Sequence, residues 1–178
     1  YYELRRYLSP RLTEKILSSG EIPGSEPQRK MMTVLFSDIR NFSSFTENLE
    51  PEELFHLLDR YLSEMTRIIH DHEGTLKKII GDGLLAFFGA PVPMEDHAER
   101  AVLTAVEMQR KVVELKDEWL RFGQELGIGI GINTGYMTVG SIGSDMHKDY
   151  TVIGNRSTGK MGGAIAVAHM WYSDMATA

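Results

Sequence analysis

Cysteine is absent from the 178 residues, so disulfides and thiolate metal sites are excluded, and the composition fits a reducing compartment. Positive charge is scarce: 19 Lys and Arg against 25 Asp and Glu leave a net charge of -6. No basic stripe exists to neutralise a phosphate backbone, which argues against broad nucleic-acid binding. No apolar run approaches the ~20 residues needed to cross a bilayer, and no signal-peptide pattern opens the chain. What is present suits one domain with a sizeable core, at 42% hydrophobic and 25% charged residues. The expectation is a single soluble, cytoplasmic domain. A start at Tyr1 rather than Met reads as a piece of a longer protein.

An amphipathic pattern opens the chain (Leu4, Tyr7, Leu8, then Leu12, Ile16, Leu17), interrupted at Ser9-Pro10. The Gly- and Pro-rich stretch from Gly20 to Pro27 then reads as a linker. The predicted division is therefore a linker or signalling segment over 1–27 and a catalytic domain over 28–178. Residues 31–37 are β-branched and apolar, as a strand requires. Pro51, followed by Glu52 and Glu53, opens a helix, and Leu54, Leu57, Leu58, Tyr61, Leu62, Met65, Ile68 and Ile69 recur at helical spacing. Gly74 is the predicted stop.

Thr75–Ile80 and Leu84–Phe88 flank Gly81-Asp82-Gly83, a hairpin signal. A second helix is predicted from Glu95 to about Phe122, burying Ala98, Ala101, Val102, Ala105, Met108 and Val112 and ending at Gly123. Leu126–Ile132 and Met137–Ile142 are expected to pair around Asn133-Thr134-Gly135, with Tyr150–Ile153 as a last strand. The order β-α-β-β-α-β with an extra hairpin predicts an α+β fold: a ferredoxin-like antiparallel sheet with its helices on one face.

Two carboxylates stand out. Asp38 ends the apolar strand Val34-Leu35-Phe36-Ser37, and Asp82 sits at the hairpin tip. Taken singly, Asp38 reads first as a strand-end or capping Asp and Asp82 as a turn residue. On adjacent elements they form a pair suited to Mg²⁺, which takes one or two carboxylates and leaves its other positions to water and phosphate. Two ions there could clamp the attacking and leaving oxygens of a phosphoryl-type displacement. Lys77 and Lys78 are successive in a strand, so alternation sends them to opposite faces; a charged edge strand explains them equally well.

Phe36-Ser37-Asp38-Ile39-Arg40-Asn41-Phe42, Lys78-Ile79-Ile80-Gly81-Asp82-Gly83, Gly131-Ile132-Asn133-Thr134-Gly135 and Tyr150-Thr151-Val152-Ile153-Gly154-Asn155 together resemble the class III nucleotidyl cyclase catalytic domain, in order and spacing, from about residue 31 to 155. Residues 4–17 also resemble the segment joining upstream sensor modules to bacterial cyclases. The resemblance implies a head-to-tail homodimer with active sites at the interface. Asp38 and Asp82 are then the catalytic, metal-holding acids for two Mg²⁺ ions, with Mn²⁺ as a substitute and the Ile39 carbonyl as a further ligand. Lys78 and Thr151 of the other subunit are implied to contact the purine, and Phe42 is a further substrate contact. Lys at position 78 and a hydroxyl at 151 point to ATP, hence cyclic AMP, with guanylate cyclase or a catalytically impaired homology module as alternatives.

The resemblance stops after Asn155. The family's Asn and Arg helix positions fall on Thr158 and Gly162, so either the chain lacks part of the equipment or a segment is omitted or misregistered. Gly154-Asn155-Arg156-Ser157-Thr158-Gly159-Lys160 mimics a P-loop, but Met161 stands where a Mg²⁺-binding hydroxyl belongs. Gly127, Gly129 and Gly131 alternate in a strand and are expected to permit close packing rather than to bind a dinucleotide. His70-Asp71-His72 is expected to be solvated, and the Met residues to fill core positions.

Overall fold

The computed structural model describes residues 10–20, 26–144 and 147–154. The first nine residues, most of the predicted linker and everything after Gly154 lie outside the described residues. So do the P-loop mimic, the Thr158 and Gly162 positions, and Trp171 and Tyr172.

Helix α1 (Pro10–Ser19) begins on its proline, which is preorganised for a first helical turn. Strand β1 (Gln28–Ile39) is longer than its apolar centre. The short α2 (Phe42–Asn48) follows through Asn41, which holds φ 56. Asp38 is thus not a helix cap. Helix α3 (Pro51–Asp71) starts as predicted, with Pro51 in the first turn and a reciprocal Glu50–Glu53 capping box. Its end differs from the prediction. Glu73, not Gly74, takes the left-handed conformation at φ 59. Gly74 serves packing instead: a Cβ there would come 2.7 Å from the Phe88 ring and 2.8 Å from Ile69.

Strands β2 (Thr75–Ile80) and β3 (Gly83–Phe88) form the expected hairpin, with Gly81 at φ 60. Helix α4 (His97–Leu120) buries Ala101, Thr104, Met108, Val112, Leu115 and Trp119. Val102, predicted to be inside, is exposed, because the core-facing stripe is rotated toward Thr104. Gly123, at φ 72, closes the helix as predicted. The predicted strand pair around Asn133-Thr134-Gly135 does not form. One continuous strand, β4 (Ile128–Ser144), runs through it, because both halves pair with the same partner: β1 matches Ile128 to Val139 in an unbroken ladder. The hairpin partner of β4 is instead β5 (His147–Gly154).

The sheet order is β2-β3-β1-β4-β5, with every pair antiparallel. Strand alternation sorts β1 into two faces. Leu35 and Ile39 pack with Leu57, Tyr61, Met65, Ile68 and Ile69 of α3 and with the α4 stripe, forming the main core. Met32 and Val34 face the other way and make a small cluster with Phe87, Ala90, Met137 and Val139. Helices α2, α3 and α4 pack on the first face, giving the predicted ferredoxin-like α+β arrangement with β5 added at one edge. The second face, called the open face because α2 to α4 do not pack on it, still buries that small cluster. A part-buried hydroxyl relay centred on Thr33 ties sheet to helix: Thr33 Oγ1 lies 2.8 Å from His97 Nδ1 and 2.7 Å from Thr134 Oγ1.

Candidate active site

Asp38 is the last open-face residue of β1, two positions beyond Phe36 and opposite Gly129. It is 7% exposed. Asp82, in the β2–β3 turn, is 8% exposed and reaches across to β1, where its Oδ2 accepts the Ile39 backbone N–H at 2.8 Å. That bond fixes the hairpin tip against the end of β1, so the two nearly buried carboxylates lie close enough for each charge to be felt by its neighbour. The Ile39 side chain is buried in the helix-side core, leaving its backbone as the part that borders the acids.

The electrostatics follow from this placement. Burial pushes the Asp38 carboxyl above its ordinary 3.8, the neighbouring Asp82 charge pushes it further, and Arg40 pulls it down. Burial also raises Asp82, partly offset by the N–H of Ile39. Beneath them Tyr61 is fully buried; burial drives its phenol far up, and both acids add to that, so it stays protonated. Two close, desolvated carboxylates that both resist ionisation are relieved by a bound cation. Among the described residues no cluster of three metal-ligating side chains occurs. The pair therefore fits an ion such as Mg²⁺, which takes one or two carboxylates and leaves positions for water and phosphate.

Lys78 is placed by a feature the sequence did not signal. Leu76 pairs with Ala86, but Lys78 pairs with Leu85, so Lys77 is an extra residue in a β-bulge. Without it Lys78 would oppose Leu84 and face the helices. With it Lys78 lies exposed on the open face, in the row Lys78–Leu85–Phe36–Gly131. Two strand spacings, roughly 10 Å, separate it from Phe36. The simple alternation expected for the two lysines is thus corrected. Phe42 opens α2, is partly buried against the main core, and packs edge-on to Phe45 with ring centroids 6.3 Å apart. Thr151 lies on β5, at the opposite edge of the sheet from Lys78, paired with Gly140. Its side chain lies outside the described residues. The structure therefore gathers Asp38, Asp82 and Ile39, sets Lys78 on the same face, and places Thr151 and Phe42 elsewhere.

The residues matched to the sequence model of the adenylate and guanylate cyclase catalytic domain are 25–160. The chain belongs to this family, the class III nucleotidyl cyclases. Adenylate cyclase 1 of Rhizobium meliloti is 30% identical over 84% of this chain and 23% of its own length. The adenylyl cyclase CyaB from P. aeruginosa superposes with a TM-score of 0.69 at 43% identity, over 73% of this chain and 68% of that one. The guanylyl cyclase Cya2 gives 0.67 at 42% identity, over 75% and 66%. The chain spans about a quarter of the length of curated relatives of this kind. It is a class III cyclase catalytic domain by family; cyclases of this class depend on divalent metals and work as dimers on nucleotide substrates.

Other sequence readings resolve differently within this cyclase domain. A Cβ on Gly131 would have no atom within 4 Å, so that glycine leaves open space on the exposed face rather than serving close packing. His72 is not merely solvated, since its Nε2 lies 2.7 Å from Glu107 Oε2 on α4. No helix of the described residues is long and apolar enough to cross a membrane. The Ile39–Asp82 bond and the β2 bulge carry no residue-type signature, and only pairing in three dimensions reveals them.

Proposed function

We propose that this domain is an adenylate cyclase that converts ATP to 3′,5′-cyclic AMP and pyrophosphate at the interface of a head-to-tail homodimer. The observation that carries the reading is the sharing of one sheet face by Asp38, Asp82 and Lys78, the last brought there by the bulge. In the reaction the ribose 3′-oxygen bonds to the α-phosphorus and the bond to the bridging oxygen breaks. Pyrophosphate leaves, and the 3′-hydroxyl proton passes to solvent. Bound Mg²⁺ or Mn²⁺ supplies charge neutralisation and acidifies the attacking hydroxyl.

Asp38 and Asp82, with the Ile39 carbonyl, hold the two ions in this reading, and their burial keeps water from screening the pair. Lys78 presents an ammonium donor, which suits the unprotonated ring nitrogen N1 of adenine and not the N–H of guanine. Thr151 is assigned the same purine, and Phe42 a contact beside it. A second copy is the occupant this reading gives to the face that carries Asp38 and Lys78, on which α2 to α4 do not pack. An upstream sensor in the longer protein is proposed to drive the dimer, drawing on the cytoplasmic ATP pool.

The experiment is to incubate the purified full protein with ATP or GTP and Mg²⁺ or Mn²⁺ and quantify both cyclic products. Cyclic AMP in excess supports the assignment. Faster cyclisation of GTP moves it to a guanylate cyclase, and nucleotide binding without either product moves it to an impaired homology module.

A further inference from the structure

We propose that Arg40 is a phosphate-binding residue of this site, its guanidinium held over the bare start of β4 where the polyphosphate of the nucleotide lies. The inference rests on the cyclase reading above and adds to it a residue that neither the metal pair nor the purine contact accounts for. Position comes first. Asp38 faces the open side, Ile39 turns into the core, and Arg40, in the turn just past β1, lies close enough to Asp38 to act on its charge.

Arg40 is also anchored. Its backbone N–H donates to the Gly127 carbonyl at 2.8 Å, and its Nε reaches the Ile128 carbonyl at 3.5 Å. A Cβ on Gly127 would lie 3.7 Å from Arg40 Cδ, so the stem rests on a residue that offers no side chain of its own. Such a seat fixes the arm while leaving the terminal nitrogens uncommitted.

Charge completes the argument. Arg40 is the cation felt by Asp38, yet among the described residues no carboxylate forms an ion pair with it, and it is exposed. A guanidinium beside two acids would ordinarily close on one of them. Here its bond is to a backbone carbonyl instead. A planar fork of free N–H donors next to a cation-seeking carboxylate pair matches a metal-bound di- or triphosphate, which the guanidinium binds through two parallel hydrogen bonds.

The test is calorimetric titration of the full protein with inorganic pyrophosphate, with and without Mg²⁺, and separately with adenosine, for wild type, Arg40→Gln and Arg40→Lys. The expected result is a loss of pyrophosphate affinity of about ten- to a hundredfold in Arg40→Gln, the range for a charge-assisted hydrogen bond. Adenosine affinity stays unchanged, and Arg40→Lys recovers part of the loss; the KM for ATP rises in parallel with the pyrophosphate dissociation constant. Unchanged pyrophosphate affinity in Arg40→Gln overturns the assignment. So does an equal weakening of pyrophosphate and adenosine, which marks a general distortion of the site. A wild type that cyclises neither ATP nor GTP overturns the cyclase reading alone, because the titration still reports whether pyrophosphate binding depends on Arg40.

Discussion

Replacing Asp82 with Asn separates the two jobs of that carboxylate, which are to accept the Ile39 N–H and to carry charge. The side-chain oxygen of Asn can still accept the bond now made at 2.8 Å, while the charge disappears. Both acids have folded-state pKa values above the ordinary 3.8, so the folded protein holds their protons more tightly than the unfolded chain does. Stability contributed by these groups is therefore greatest in acid. It falls as pH rises from about 3.8 through the raised folded values, and both charges penalise the metal-free fold at neutral pH.

Two like charges about 4 Å apart repel by on the order of 1 kcal/mol even in bulk water. Removing one charge of the pair should then raise Tm, by roughly 2–4 °C per kcal/mol for a domain of this size. Asp82→Ala also removes the charge but orphans a buried N–H, at about 1–3 kcal/mol. Thermal unfolding in chelator at pH 7.5 should thus rank Asp82→Asn above wild type and Asp82→Ala below Asp82→Asn. The gap between wild type and Asp82→Asn should close toward pH 4. Added Mg²⁺ should stabilise wild type and not Asp82→Asn, and cyclic nucleotide production should be lost in both variants. An Asp82→Asn protein less stable than wild type in chelator at pH 7.5 would show that the charge serves the fold, and the metal-cradle argument would fall.

Lys78→Glu should shift the ratio of cyclic AMP to cyclic GMP toward cyclic GMP by about ten- to a hundredfold, because a carboxylate accepts from guanine and repels the adenine ring nitrogen. Its Tm should move little, since the side chain is exposed. Gly74→Ala drives a methyl into the Phe88 ring and Ile69 and should cost about 1–3 kcal/mol in urea unfolding. An unchanged midpoint would mean that α3 and β2 can separate freely. Thr33→Val breaks both links of the His97–Thr33–Thr134 relay in a fully buried position and should cost a similar 1–3 kcal/mol, again read by urea unfolding.

The sequence displayed those parts of the molecule whose physics is local. The α3 stripe and its Pro51 start, the Gly81 turn and the Gly123 stop each depend on periodicity or on the conformational freedom of a single residue. They appear as expected. The errors share a cause in long-range pairing. Asn133-Thr134-Gly135 has turn chemistry, but β1 pairs along its whole length and holds it extended. Gly74 has the ideal residue type for a left-handed cap, yet the pressure of Phe88 and Ile69 claims it, and Glu73 takes the cap. Asp38 and Asp82 were legible as candidates, and their joining through Ile39 was not. That bond links residues 43 positions apart and has no pattern of its own. The face presented by Lys78 was likewise hidden, because it turns on a register shift.

That shift makes the residue count of β2 a parity condition. Between Leu76 and the Asp82 turn, taking out one residue would not simply shorten the hairpin. It would exchange the two faces for every side chain on one side of the cut, sending the ammonium of Lys78 toward the apolar layer beneath α3. Taking out two would leave the faces as they are. An edge strand is ordinarily where a sheet best tolerates insertions and deletions. Here the tolerated lengths come only in steps of two, and Lys77, the extra residue of the bulge, is the one that cannot be removed singly.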